Sequence, residues 1–288
     1  MQKSYSNYLK AILWFVMFLA TGCINNTLLK YIGNLMPPWQ VAFYRCFFSA
    51  VTLLPFMFYH GLASFKTRHI GLHIVRGILF FVSMNLWSYG VQQTPIATAT
   101  IVSFTTPLFV LFLAPFLLKE RVTWPMWVAT LLSFGGIFLA LQPSSSAFVS
   151  SLLLLSASAL FGLLDVLNKK QINQESMLRM LFYSSFFAAI LFALPVAYSL
   201  TLPRMHALWW PPLCLGIGNN LHLYCLLKAF TLTSASSLAP FRYLELPLSV
   251  LLGYLFFQEL PSNDIYLGAA VIVPCTLFIV YYQQSTSK

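Results

Sequence analysis

Four charged side chains fall within apolar stretches, away from their ends: Arg45, Asp165, Arg242 and Glu245. A charge at the centre of a bilayer costs roughly 2.5–3.5 kcal/mol on insertion scales, so each marks a candidate binding or ion-handling site. Two guanidiniums and two carboxylates can also neutralise one another, and Arg242 and Glu245, three apart, share a helix face. A structural ion-pair network is therefore one reading. The other is a site for a charged or zwitterionic solute, whose carboxylate Arg242 or Arg45 would take and whose ammonium Glu245 would take first and Asp165 second. Asp165 falls nearest the end of its stretch, which weakens its claim to a central site.

Polar and aromatic residues at comparable depth are Asn25, Asn26, Tyr44, Asn85, Trp87, Ser103, Phe104, Asn219, Asn220, His222, Tyr224 and Tyr243. The candidate binding set is Tyr44, Asn85, Phe104, Asn220, Tyr224 and Tyr243, with Arg242, Glu245 and Asp165. Aromatic residues make up 17% of the chain, so a single ring is more often packing than site.

Other chemistries find no support in the residues. There is no Ser/His/Asp pattern, no H-E-x-x-H and no aspartate pair, so no catalytic residue is assigned. Phosphate-loop spacing is absent, and Gly216-Ile217-Gly218 lacks a third glycine. His69 and His73 stand four apart in a basic connection with no carboxylate near in sequence, so no metal is expected. The five cysteines lie in apolar segments without a CxxC pair and read as small apolar residues. The net charge of +10 comes from basic residues scattered singly or in pairs at the ends of apolar runs, which suits lipid headgroups rather than nucleic acid.

The elements that position these groups are transmembrane helices. Hydrophobic residues form 59% of the 288 and charged ones 8%, against about a quarter charged in soluble domains. Apolar runs predict ten helices near 10–30, 38–59, 74–92, 96–118, 123–142, 148–168, 177–200, 208–230, 235–257 and 262–283. The first is expected to be an uncleaved helix rather than a signal peptide, because the apolar run continues past Cys23. One set of alternate loops collects Lys3, Lys10, Lys66, Arg68, Arg76, Lys119, Arg121, Lys169, Lys170, Arg179, Lys228 and Lys288, and the other little beyond Lys30 and Arg204. Both termini are therefore expected in the cytoplasm.

The chain also reads as duplicated, with repeats at 1–142 and 143–288. An offset of 139 carries Lys30 onto Lys169, Tyr44 onto Tyr183, Phe47-Phe48 onto Phe186-Phe187 and Glu120 onto Glu259. An offset of 140 carries Ala99 onto Ala239, Pro107-Leu108 onto Pro247-Leu248 and Pro55 onto Pro195. Five spans per copy invert the second copy, giving an all-α membrane protein of two inverted five-helix repeats with a midplane site. Glu120 and Glu259 are expected to stabilise the N-terminus of the helix that follows each of them. Lys30 and Lys169 are expected to satisfy carbonyls at the ends of their own helices.

In Ala42-Phe43-Tyr44-Arg45, Thr98-Ala99-Thr100, Lys119-Glu120-Arg121, Gly135-Gly136-Ile137 and Phe257-Gln258-Glu259 the chain resembles the EamA-type, ten-helix branch of the drug/metabolite transporter superfamily. Leu163 to Lys170, Glu175-Ser176-Met177, Leu226 to Phe230 and Ala239 to Leu246 are similar to the S-adenosylmethionine carriers of obligate intracellular bacteria. The resemblance implies uptake of S-adenosylmethionine in exchange for S-adenosylhomocysteine, by alternating access in a bacterial inner membrane. It implies no cofactor, no metal and no enzyme activity, and it leaves monomer and dimer both open. On that cargo the sulfonium calls for an aromatic face, and the adenine for stacking and amide hydrogen bonds. An exporter of amino acids or other small metabolites or drugs on the same scaffold is the alternative.

Overall fold

The computed structural model describes residues 2–117, 124–125, 127–129, 131–132, 135, 148–171, 174–199, 210–232, 241, 244–261 and 263–286. Among these residues there is no strand. Helix α1 spans Gln2–Gly33, α2 Pro38–Tyr59, α3 Ile70–Gln93, α4 Ile96–Ser103 and α5 Thr106–Leu117. A 3-10 turn at Leu62–Phe65 joins α2 to α3, and the described residues between 124 and 135 are also helical. The second half holds α6 Phe148–Gln171, α7 Met177–Ser199, α8 Trp210–Leu232, α9 Glu245–Phe257 and α10 Asn263–Thr286.

Six stretches are long and apolar enough to cross a membrane: Tyr8–Gly33, Pro38–Tyr59, Ile70–Gln93, Ile96–Leu117, Phe148–Asn168 and Met177–Ala197. Helix α8, at 23 residues, has the length as well, but Asn219, Asn220 and His222 interrupt its apolar run. Exposure follows lipid rather than water. Leu13, Phe56 and Leu194 stand more than half exposed, while Asn25, Arg45, Asn219 and Glu245 are buried. In hydrocarbon the outward face must be apolar and polar groups must find partners inside.

The stretch expected as one helix at 96–118 is two, α4 and α5, broken at Phe104-Thr105. A proline at 107 has no N–H for the Ser103 carbonyl, and its ring clashes with a helical carbonyl four residues back. The Val102 carbonyl, left at the break, accepts the Thr105 N–H at 3.0 Å, the Thr105 hydroxyl at 2.7 Å and the Ser158 hydroxyl of α6 at 3.3 Å. Hydroxyls thus do the work that water would do outside a membrane. The offset of 139 carries Thr106, where α5 begins, onto Glu245, where α9 begins. The expected start at 235 lies outside the described residues.

The helix pairs that pack together exchange into one another when the halves are swapped. Helix α1 packs on α8 as α6 packs on α3, α2 on α8 as α7 on α3, and α1 on α9 as α6 on α4 and α5. Two close approaches repeat the relation residue by residue. A Cβ on Gly77 of α3 would lie 2.4 Å from the Phe187 Cβ of α7, and one on Gly216 of α8 would lie 2.5 Å from the Phe48 Cβ of α2. Both glycines and both phenylalanines are 139 apart. Only a residue without a side chain lets these helices meet so closely.

Candidate solute-binding site

Helix α1 carries the first polar groups at mid-height of the bundle, and each faces a different neighbour. The Cys23 thiol donates to the main-chain carbonyl of Glu245 at 3.6 Å, which sets α9 against α1. Asn25 presses on α8, where a Cβ on Gly218 would lie 2.2 Å from its Oδ1. Asn26 Oδ1 accepts the Trp87 indole N–H from α3 at 3.1 Å. Successive positions on one helix are about 100° apart, so three short steps reach three partners.

Helix α2 contributes Arg45, only 6% exposed. Its Nε and Nη2 donate to Asn219 Oδ1 of α8 at 3.3 and 3.0 Å, and Nη1 has no acceptor among the described residues. Asn219 is held in turn, since its Nδ2 donates to the Ser49 hydroxyl at 3.3 Å. Ser49 donates to Asn220 Oδ1 at 2.6 Å and meets the Ser185 hydroxyl of α7 at 2.9 Å. Asn220 Nδ2 donates to the Ser49 carbonyl at 2.8 Å and to the Thr52 hydroxyl at 2.9 Å. The result is a buried polar junction of α2, α7 and α8 around one guanidinium.

The remaining candidates are spread around this junction. Glu245, 8% exposed, opens α9, where the helix dipole favours a carboxylate. Asn85 is half-buried, with its Oδ1 lacking a hydrogen-bond partner among the described residues. Tyr44 is buried edge-on against Phe43 with ring centroids 5.1 Å apart, and Phe104 is in the apolar core at the α4–α5 break. Tyr224 is 40% exposed and packs T-shaped on Trp14 at 5.9 Å, with the Lys228 ammonium 5.7 Å over its ring. Asp165 is exposed on α6. Arg242 and Tyr243 lie outside the described residues.

The structure corrects several expectations. Arg76, counted with the loop charges, is buried in the second turn of α3 because that helix starts at Ile70 rather than at 74. It donates to Asn168 Oδ1 at 2.9 Å, Gln171 Oε1 at 3.2 Å and the Met180 carbonyl at 3.2 Å. His73 does have a carboxylate near it, with Nε2 3.9 Å from Glu175 Oε1. Glu259 stabilises α4 rather than the helix that follows it: its Oε2 accepts the Ile96 N–H at 3.1 Å. Gln258 takes the left-handed conformation at φ 56°, and Glu259 N–H bonds back to the Gly253 carbonyl at 3.2 Å, ending α9 and turning Glu259 back across the bundle. Lys30 pairs with Glu259 and donates to the Thr94 carbonyl at 2.5 Å, at the end of α3 rather than of its own helix. Glu120 and the Lys169 side chain fall outside what is described.

Glu175, in the connection before α7, sits at the end of the bundle that holds the chain termini. It accepts from the Thr67 hydroxyl and from Arg179 Nη1 at 3.1 Å. Burial by itself would raise its carboxyl, but these two hydrogen bonds and the Arg179 charge outweigh it and hold Glu175 below the usual carboxylate range. An open apolar hollow of about 330 Å³ between Trp124, Val128 and Leu132 on one side and Pro274, Cys275 and Phe278 on the other is remote from the polar junction in character and in lining.

Sequence reading passed over Ser49 and Ser185, offered Arg45 for a carboxylate as an alternative to Arg242, and noted Asn25 and Asn219 without selecting them; the fold gathers all of these. Serine, asparagine and arginine in apolar helices were visible; which of them face one another was not.

Comparison with known proteins places this architecture. The chain is 41% identical over 285 residues to the S-adenosylmethionine uptake transporter of Rickettsia felis, covering 99% of this chain and 97% of that one. It is 40% identical over 287 residues to that of Rickettsia prowazekii, with the same coverage. The riboflavin transporter of Vibrio cholerae is 28% identical over 288 residues, covering 97% and 96%. A crystal structure 16% identical superposes over the whole of both chains with a TM-score of 0.63 and shares the fold. The EamA-like transporter family model matches twice, at residues 9–142 and 149–281. This chain is therefore a multi-pass membrane transporter built from two copies of one helical unit, and it belongs to the EamA-like transporter family.

Proposed function

We propose that this transporter takes up S-adenosylmethionine in exchange for S-adenosylhomocysteine, across a bacterial inner membrane with both termini in the cytoplasm. Near-full-length similarity at 40–41% identity to rickettsial S-adenosylmethionine uptake transporters carries the proposal, against 28% for a riboflavin transporter. The chemistry of the bundle suits such a cargo. Glu245 at the start of α9 would take the ammonium, and Asn85, Asn220, Phe104, Tyr44 and Tyr224 would offer amides and rings to the adenosyl and sulfonium parts. Repeats 1–142 and 143–288 would rock about the mid-height polar belt, exposing it to each side in turn. Exchange requires that both cargoes stabilise reorientation more than the empty carrier does.

Proteoliposomes loaded with unlabelled S-adenosylhomocysteine test this by uptake of labelled S-adenosylmethionine against empty vesicles. Uptake stimulated by internal cargo is expected. Equal uptake by empty vesicles removes obligatory exchange, and no uptake by folded, inserted protein removes the cargo, leaving export of amino acids or other small metabolites as the reading.

A further inference from the structure

The Arg45 junction has an unusual charge balance. A buried guanidinium without a counter-charge is strongly destabilising, and natural proteins pair or ligate it. Arg45 has five N–H donors, and its only acceptor among the described residues is the amide oxygen of Asn219. No carboxylate forms an ion pair with it there. Asn219 is oriented by Ser49, which Asn220 and Ser185 hold in turn. An amide oxygen at this place aims the guanidinium without cancelling its charge; an aspartate would cancel it.

A second donor stands beside the first. Asn25, 3% exposed, has its Nδ2 without an acceptor among the described residues, and its Oδ1 lies against Gly218, the residue preceding Asn219. Arg45 Nη1 and Asn25 Nδ2 are thus buried donors beside consecutive residues of α8, Asn219 and Gly218, and both lack an acceptor among the described residues. A group that supplies acceptors alone and carries negative charge satisfies both, and a carboxylate is such a group. Glu245 lies beside Cys23 of α1, two residues and about 200° round that helix from Asn25.

We infer that Arg45, aimed by Asn219 and flanked by Asn25, anchors the carboxylate of the transported solute, and that the carrier selects solutes bearing one. This rests on the transport reading above and adds the group that is recognised.

The test uses the full-length carrier in proteoliposomes, with labelled S-adenosylmethionine challenged by unlabelled S-adenosylmethionine or by its decarboxylated analogue. The analogue is expected to compete about 10-fold more weakly, equivalent to about 1.4 kcal/mol. In Arg45→Gln the two competitors should become equal, a change in preference that a merely structural arginine would not produce. Asn219→Asp places the counter-charge inside the protein: the melting temperature should rise while competition by S-adenosylmethionine falls more than that by the analogue. Equal competition in the unaltered carrier overturns the anchor. So does a parallel loss of both when chloride is replaced by methanesulfonate, an anion without a carboxylate, which would make a free inorganic ion the occupant. If the carrier takes up no S-adenosylmethionine, the cargo proposal fails, and Asn219→Asp still decides the anchor: a melting temperature that does not rise shows the guanidinium charge was already compensated.

Discussion

The Lys30–Glu259 tie at the end of the bundle away from the termini is a three-way joint, and exchanging its two charges separates that geometry from a simple ion pair. Glu259 accepts from both Lys30 and the Ile96 N–H that opens α4; Lys30 donates to both Glu259 and the Thr94 carbonyl that ends α3. The side chains are 13% and 23% exposed, between the surface case of about 0–1 kcal/mol and the buried case of about 3–5 kcal/mol for breaking a pair. Taking about 1–2 kcal/mol for the pair and about 1 kcal/mol for the lost helix cap, Glu259→Ala should cost about 2–3 kcal/mol. At roughly 2–4 °C per kcal/mol for a chain of this size, the melting temperature of the purified carrier should fall by roughly 4–12 °C. Glu259→Gln, which keeps an acceptor for Ile96, should fall by about half as much. The exchange Lys30→Glu with Glu259→Lys restores opposite charges. However, it sets an ammonium against the Ile96 N–H and the positive end of α4, and a carboxylate against the Thr94 carbonyl. The double variant should therefore be no more stable than Glu259→Ala. Recovery to within a degree of the unaltered protein would refute the joint and leave only the ion pair.

Three further outcomes follow from the same structure. Gly216→Ala should destabilise by about 1–3 kcal/mol, because the added Cβ would meet the Phe48 Cβ at 2.5 Å and the Phe48 and Ser49 backbone at 2.7 Å, and Phe48→Ala, which keeps those atoms, should not recover the loss in thermal unfolding; recovery would place the clash on the ring instead. Glu245→Gln should weaken cargo binding, measured by equilibrium binding to purified protein, with folding intact; unchanged binding removes Glu245 from the site. Glu175 has a lowered carboxyl in the folded chain, so its contribution to stability is present above the ordinary carboxylate pKa and is lost as pH falls through the lowered value. Melting temperatures from pH 7 to pH 3 should therefore decline less steeply in Glu175→Gln, and parallel curves would assign the decline to other groups.

The class, and most of the spans that fall on described residues, were legible because length and apolarity alone decide them. The duplication was legible through phenylalanines and prolines at constant offset, yet Gly77 and Gly216 escaped notice although they occupy the contact itself. A glycine in an apolar run looks like any small residue until the opposing phenylalanine is placed. The break before Pro107 had its signal in the proline and was read through, because the hydropathy is continuous across it. Arg76 was misplaced by a helix start only four residues off, enough to turn a buried hydrogen-bonding cation into a loop charge. Within the candidate site, Asn219 and Asn220 are neighbours in sequence, but a helix turns about 100° between them. One aims Arg45 and the other braces Ser49, a division of roles that only the packing of α2 against α8 determines.

The paired glycine–phenylalanine contacts bear on why the two halves are joined. An antiparallel homodimer of the first half would form both contacts automatically, since its axis generates the second from the first. It would also bury two copies of Arg45. In the fused chain the offset of 139 carries Arg45 onto Ser184, whose hydroxyl bonds, among the described residues, to the Met180 carbonyl one turn back on its own helix. Covalent joining therefore lets the scaffold keep its twofold symmetry while the Arg45 guanidinium stands on one side of the axis without a counterpart at Ser184. A solute with distinct ends would have one orientation in such a carrier, where a true dimer would offer it two.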